Sequence, residues 1–165
     1  MLNAGATPPP REIQKQTWES FGLNWEVDVR HVFHWTQAVL LAPLPAGSTV
    51  ITMSSGAALA GSPLSGGYAG AKATIRFLTS YAAAESDRGG LGIRFVSVLP
   101  QLTPATDLGA TYVTAYAARA GAAAPPPAQA LSTEQAGQAI VALATGTALD
   151  QPAYLLTAAG LRPAP

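Results

Sequence analysis

No cysteine occurs among the 165 residues, which removes disulfides, thiolate nucleophiles and cysteine-held zinc, and suits a reducing cytoplasm. Charge is scarce: only 11% of residues carry one, nine of each sign. There is therefore no basic field to draw nucleic acid or anionic lipid, and no acidic tail. Long apolar runs are missing as well, since the longest uninterrupted aliphatic stretch, Ala38 to Ala42, is far too short to cross a bilayer. The N-terminus reaches three consecutive prolines, Pro8 to Pro10, where a signal peptide would carry a basic segment and then an apolar one. A soluble, cytoplasmic protein with neither nucleic acid nor membrane as partner is expected. Histidine occurs only at His31 and His34, three apart in one expected helix with no carboxylate at ligand spacing. Surface or packing roles, not metal binding, are expected for both. What the chain does have is 48% apolar residues, enough to build the core of a single domain over 1–165.

From Thr17 to about Leu41 the positions Val29, Val32, Phe33, Thr36, Val39 and Leu40 recur at three and four residues, which predicts one helix with these on its buried face. Pro43 and Pro45 stop it. Thr49 to Met53, rich in β-branched residues, reads as a buried strand. A second helix is expected from about Tyr68 to Ser86, with Ile75, Leu78, Tyr81 and Ala82 on one side, closed by the glycines after Arg88. Ile93 to Pro100 forms the next strand. A helix around Leu108 to Ala120 leads into an Ala/Pro-rich loop, 121–130, that reads as a flap. Ser132 and Gln135 make a capping box for a helix to about Ala144, and a further strand starts at Ala153. Strands alternating with helices of this length imply parallel crossovers, hence an α/β fold with helices on both faces of the sheet.

Between the first strand and the second helix lies "SSGAALAGSPLSGGYAGAK", Ser54 to Lys72. Tyr68 and Lys72 are four apart at the start of a helix, so their side chains share a face. A phenol is a poor acid or base at neutral pH, and an ammonium close by favours its ionised form. Lysine occurs only at Lys15 and Lys72, against seven arginines, so the compact, titratable cation stands where such chemistry wants it. Ser55, thirteen residues before Tyr68 at the end of the strand, could hold a carbonyl or alcohol oxygen beside the phenol.

Together, "LNAG" at Leu2 to Gly5, "TMSSGAALAGSPLSGGYAGAK" and "GIRFVSVLPQLT" resemble the short-chain dehydrogenase/reductase family. The resemblance implies a partial doubly wound, Rossmann-type parallel sheet of about three strands plus a stub. It also implies hydride transfer between NAD or NADP and a small alcohol or carbonyl substrate. Tyr68 would be the general acid/base, Lys72 would lower its pKa and hold the nicotinamide ribose, and Ser55 would orient the substrate oxygen. Asn3, Ala4 and Gly5 would line the cofactor site, with Pro100, Gln101 and either Thr103 or Thr106 passing the nicotinamide. The position of the family's relay asparagine aligns with Asp28, which has no amide donors. Pro100-Gln101 stands where the family has Pro-Gly. "MLNAG" corresponds to the end of the family's fourth strand, so the first mononucleotide half is expected to lie outside this chain. Neither G-x-G-x-x-G nor G-x-x-x-G-x-G occurs in it. The 165 residues alone are accordingly expected to be truncated, and weakly active or inactive.

Two other readings belong to different classes. A degenerate, non-catalytic interaction module would pair through the helices around 29–40 and 75–82, which the family uses in its oligomers. A hydrolase with Ser55 as nucleophile would need a histidine base, and the only two, His31 and His34, sit in the preceding helix, with no strand-turn-helix G-x-S-x-G elbow around the serine.

Overall fold

The computed structural model describes residues 1–121, 130–146 and 150–165. Of the loop expected over 121–130, residues 122–129 lie outside the described residues. Helices α1 (Trp18–Asn24) and α2 (Arg30–Leu41) are joined without a break by a π-helical turn, Trp25–Val29. The entry to α1 is fixed by Thr17, whose side chain accepts from Ser20 N while the Ser20 hydroxyl accepts from Thr17 N. Strand β1 (Thr49–Met53), the short helix α3 (Ala57–Ala60) and the long helix α4 (Gly67–Arg88) follow, then β2 (Arg94–Pro100) and α5 (Asp107–Ala120). Helix α6 (Thr133–Ala144) carries the expected capping box of Ser132 and Gln135 and leads to β3 (Ala153–Thr157) and β4 (Gly160–Pro163).

The sheet order is β1-β2-β3-β4. β1 and β2 run parallel from Thr49↔Arg94 to Met53↔Val98, and β2 and β3 from Ser97↔Ala153 to Pro100↔Leu156. The stub is Leu2, bridged in parallel to Thr52: Leu2 N donates to Ile51 O at 2.7 Å, and Met53 N donates to Leu2 O at 3.0 Å. It covers the carboxyl end of the β1 edge. Strand β4, antiparallel to β3, extends the expected set. A two-residue turn at Ala158 and Ala159 precedes Gly160, whose φ of +101° suits glycine. Pro163 stands on the outer edge, where a missing N–H costs no ladder bond.

Alternation along the strands divides the core as the sequence pattern requires. Ile51, Val96, Val98, Tyr154 and Leu156 pack with Leu131 and Leu143 against α6. Val50, Ile93 and Phe95 pack with Ala82 against α2 and α4 on the opposite side. Helices thus cover both faces. Phe33 and Tyr81, expected inside, are 45% and 63% exposed. Within α2 the fully buried positions narrow to Val32 and Thr36, two of the expected set. In α4 the buried stripe runs through Ile75, Thr79 and Ala82. Thr79 belongs inside because its hydroxyl donates to Ile75 O and bonds the Thr52 hydroxyl at 2.7 Å, tying α4 to β1.

One glycine sets the helix crossing that matters for the site. A Cβ on Gly67 would stand 1.8 Å from Phe21 O, so α1 and α4 touch backbone to backbone there. Gly67→Ala should therefore force the two helices apart and destabilise the fold by about 3 kcal/mol, read as a fall in the urea midpoint. A change within error would contradict the crossing.

Candidate active site

Two hydrogen bonds tie the first turns of α4 to the carboxyl end of β1, and a third holds that end against β2. The buried Ser54 hydroxyl donates to Lys72 O at 2.7 Å, Lys72 Nζ donates to Met53 O at 3.1 Å, and Ser54 N donates to Val98 O at 2.8 Å. Ser55, the next residue, accepts from Ala57 N at 3.2 Å and lies near enough to Tyr68 to act on its phenol. Lys72 Nζ lies 5.5 Å from the Tyr68 ring centroid. Ser55, Tyr68 and Lys72 all line one cavity of about 800 Å³ at the carboxyl ends of β1 and β2, the place where open α/β sheets receive ligands.

Asn3, Gly5, Asp28, Pro100, Gln101, Thr103 and Thr106 line the same cavity, and Ala4 does not; Ala6 and Thr7 take its place. Of the two threonines, Thr106 is committed to structure: it caps α5 by accepting from Gly109 N at 3.0 Å and donates to Thr103 O at 2.9 Å. The Thr103 hydroxyl makes only a long bond, 3.3 Å, to Gln101 O. Gly109 lets α5 close onto this segment, because a Cβ there would stand 1.8 Å from Thr103 O.

Asp28 projects from the π turn into the floor of the cavity, 1% exposed, and pairs with Lys72 Nζ at 3.1 Å. Its Oδ1 accepts from Ala6 N at 2.8 Å and from Asn24 Nδ2 at 3.2 Å. Asn24 Nδ2 also donates to Ala6 O at 2.8 Å. A Cβ on Gly5 would stand 2.9 Å from Asp28 Oδ2, so glycine is what lets the chain after Leu2 reach the carboxylate. The sequence reading passed over Asn24; a lone amide one helical turn before Asp28 was the available signal.

The electrostatics differ from the sequence expectation in one respect. Tyr68 was expected to be drawn down by Lys72, and its phenol is instead pushed above its ordinary value. Burial is the largest cause; the hydrogen bond from Ser55 lowers it and the negative charge of Asp28 raises it. With a carboxylate at 3.1 Å the ammonium no longer acts as a lone positive charge. The sequence reading also passed over Tyr112 and Tyr116, which lie one turn apart on α5 and roof the cavity with ring centroids 5.8 Å apart. Burial, then Tyr116 and Tyr68, push Tyr112 up to about 12, and its phenol oxygen has no hydrogen-bond partner among the described residues. Tyr116 bonds the Ser62 hydroxyl, which bonds Ser65 at 2.6 Å. His31 and His34 take no part, and no group of metal-ligating side chains occurs among the described residues.

Ser55, Tyr68 and Lys72 thus line one cavity at the carboxyl edge of a Rossmann-type α/β sheet. A family model described as enoyl-(acyl carrier protein) reductase matches residues 1–149, and the chain belongs to this short-chain dehydrogenase/reductase family. No curated protein sequence matches it. Among solved structures, a short-chain dehydrogenase from Mycobacterium avium is similar over 99% of this chain and 53% of its own, with 24% identity and a TM-score of 0.71. A Burkholderia cenocepacia protein described as a dehydrogenase, with NADP bound, is similar over 96% of this chain and 60% of its own, with 18% identity and a TM-score of 0.74. For a Salmonella enterica short-chain dehydrogenase the shares are 86% and 54%, with 20% identity and a TM-score of 0.67. At these identities the likeness establishes the fold alone. The chain spans about 53–60% of the length of these three proteins.

Proposed function

We propose that the site serves hydride transfer between NAD or NADP and a small alcohol or carbonyl compound, with Tyr68 as general acid/base. The observation that carries this reading is the meeting of the Ser55 hydroxyl, the Tyr68 phenol and the Lys72 ammonium on one cavity wall. Ser55 and Tyr68 present two hydroxyls to one substrate oxygen, so that Ser55 orients it and Tyr68 exchanges its proton. Lys72 has three N–H donors, of which Met53 O and Asp28 take two; the third is left for Tyr68 or a ribose hydroxyl. Leu59, Leu108 and Leu155 add apolar surface to the same cavity.

The donor set fits the nicotinamide end of the cofactor. Asn3, Gly5, Lys72, Pro100, Gln101 and Thr103 would hold it. When bound, the nicotinamide supplies or accepts the hydride at the substrate carbon. The donor set does not extend to the diphosphate: Lys72 is the one cationic side chain among the cavity's lining residues, and Asp28 already pairs with it. The 165-residue chain should therefore bind NADH and NADPH with affinities weaker than micromolar. Fluorescence titration of both nucleotides checks this, and micromolar binding would contradict it. The reading itself is tested by nicotinamide oxidation with a panel of aldehydes and ketones at millimolar cofactor, wild type against Tyr68→Phe.

Pairing between copies belongs to the same reading. Phe33 and Trp35 on α2 and Phe77 and Tyr81 on α4 leave 45–63% of their surface exposed, more aromatic surface than two isolated helices need in water. This favours a homo-oligomer held through these helices. It also keeps the second reading, a non-catalytic pairing module, distinguishable: that module would pair equally well and show no turnover that depends on Tyr68.

A further inference from the structure

The Asp28–Lys72 pair is buried on both sides, with side-chain exposures of 1% and 8%. Burying two charges costs desolvation that their mutual attraction scarcely recovers, and an apolar pair of similar volume would serve packing as well or better. The charge therefore has a use other than packing, and the geometry shows what it faces. Tyr68 is surrounded by Lys72 from its own helix, Asp28 from the π turn, Ser55 from the end of β1 and Tyr112 from α5. Of these only Lys72 could favour a phenolate by charge, and its ammonium lies 3.1 Å from the Asp28 carboxylate. The carboxylate is itself immobile, because Ala6 N and Asn24 Nδ2 hold its other oxygen.

We propose that Asp28 is a positioning residue that holds Lys72, cancels its charge beside Tyr68 and keeps the phenol protonated, setting the site for reduction of ketones or aldehydes rather than oxidation of alcohols. This inference rests on the functional reading above. In that direction the carbonyl carbon gains a hydride from a reduced nicotinamide dinucleotide, which leaves oxidised. The carbonyl oxygen takes the Tyr68 proton, and the phenolate takes a proton back from water. The direction of the Tyr68 shift agrees with this assignment: burial and the Asp28 charge both hold the proton on.

The test uses the full 165-residue chain without cofactor or substrate, labelled at tyrosine Cζ, lysine Nζ and the aspartate side-chain carboxylate carbon and followed by NMR, with Tyr68 assigned by Tyr68→Phe. In wild type Tyr68 should titrate above pH 10, and in Asp28→Asn the midpoint should fall by about one pH unit or more, with the circular dichroism spectrum unchanged. An equal midpoint in the two proteins, or a wild-type midpoint at or below 10, would overturn the proposal. Should Asp28→Asn not fold, the wild-type midpoint and the lysine spectrum remain as readouts, and either can overturn the proposal. With only Lys15 and Lys72 in the chain, one ammonium should exchange its protons slowly and correlate with a carboxylate carbon; two fast-exchanging ammonium groups would overturn the pairing. None of these readouts depends on turnover. Failure here is therefore distinct from failure of the functional reading, which would show as Tyr68→Phe retaining wild-type rates.

Discussion

Asp28→Ala is expected to lower the unfolding free energy by about 3–5 kcal/mol, a large part of what a domain of this size possesses. The substitution leaves the Lys72 ammonium buried without its counter-charge, since Met53 O alone does not neutralise it. It also strips Ala6 N and Asn24 Nδ2 of their shared acceptor. The first of these bonds, with Asn24 Nδ2 donating to Ala6 O, holds the segment after Leu2 against the helix, so the stub on β1 should loosen in the same step. Removing both charges in Asp28→Ala/Lys72→Met should recover much of the loss, because an apolar side chain tolerates the site that a lone ammonium does not. Urea unfolding followed by circular dichroism gives the comparison. A loss below about 1 kcal/mol for the single variant would mean that the pair behaves as an exposed one.

Tyr68→Phe should lower turnover by about 10²–10⁴-fold, the ordinary contribution of a positioned acid or base. The change keeps the ring and its contact with Lys72 while removing the one oxygen that can pass a proton to the substrate. Dinucleotide affinity and thermal midpoint should stay close to wild type, which separates loss of chemistry from loss of fold. Because the phenol of wild type is held above its ordinary value, carbonyl reduction should stay level with rising pH until about 10. Alcohol oxidation needs the ionised phenol and should still be climbing there. A reduction rate that falls away near neutrality would contradict the electrostatics described here.

The alternating strands and helices were readable in the sequence because each strand carries β-branched or aliphatic runs bounded by turn residues. The serine-tyrosine-lysine spacing was readable because it lies within one strand-to-helix connection. What escaped notice has a common physical origin in contacts between distant segments. The π turn follows from Asn24 and Asp28 reaching back to Ala6, and no local propensity announces it. The burial of Thr79 depends on its bond to Thr52, 27 residues away, and Phe33 and Tyr81 lie at the margins of apolar faces narrower than the three-and-four spacing implied. The Asp28–Lys72 pair spans 44 residues of sequence, and nothing near either residue names the other.

We propose above that this cavity moves a hydride under the control of the Tyr68 proton. The most direct measurement supplies NADPH and NADH deuterated on either face of C4, at millimolar concentration, with a carbonyl panel, and follows deuterium into the alcohol products by mass spectrometry. The account predicts label at the carbinol carbon from one face only with wild type, and its loss with Tyr68→Phe. Absence of label above a protein-free control, or label of equal amount from the two proteins, would contradict it.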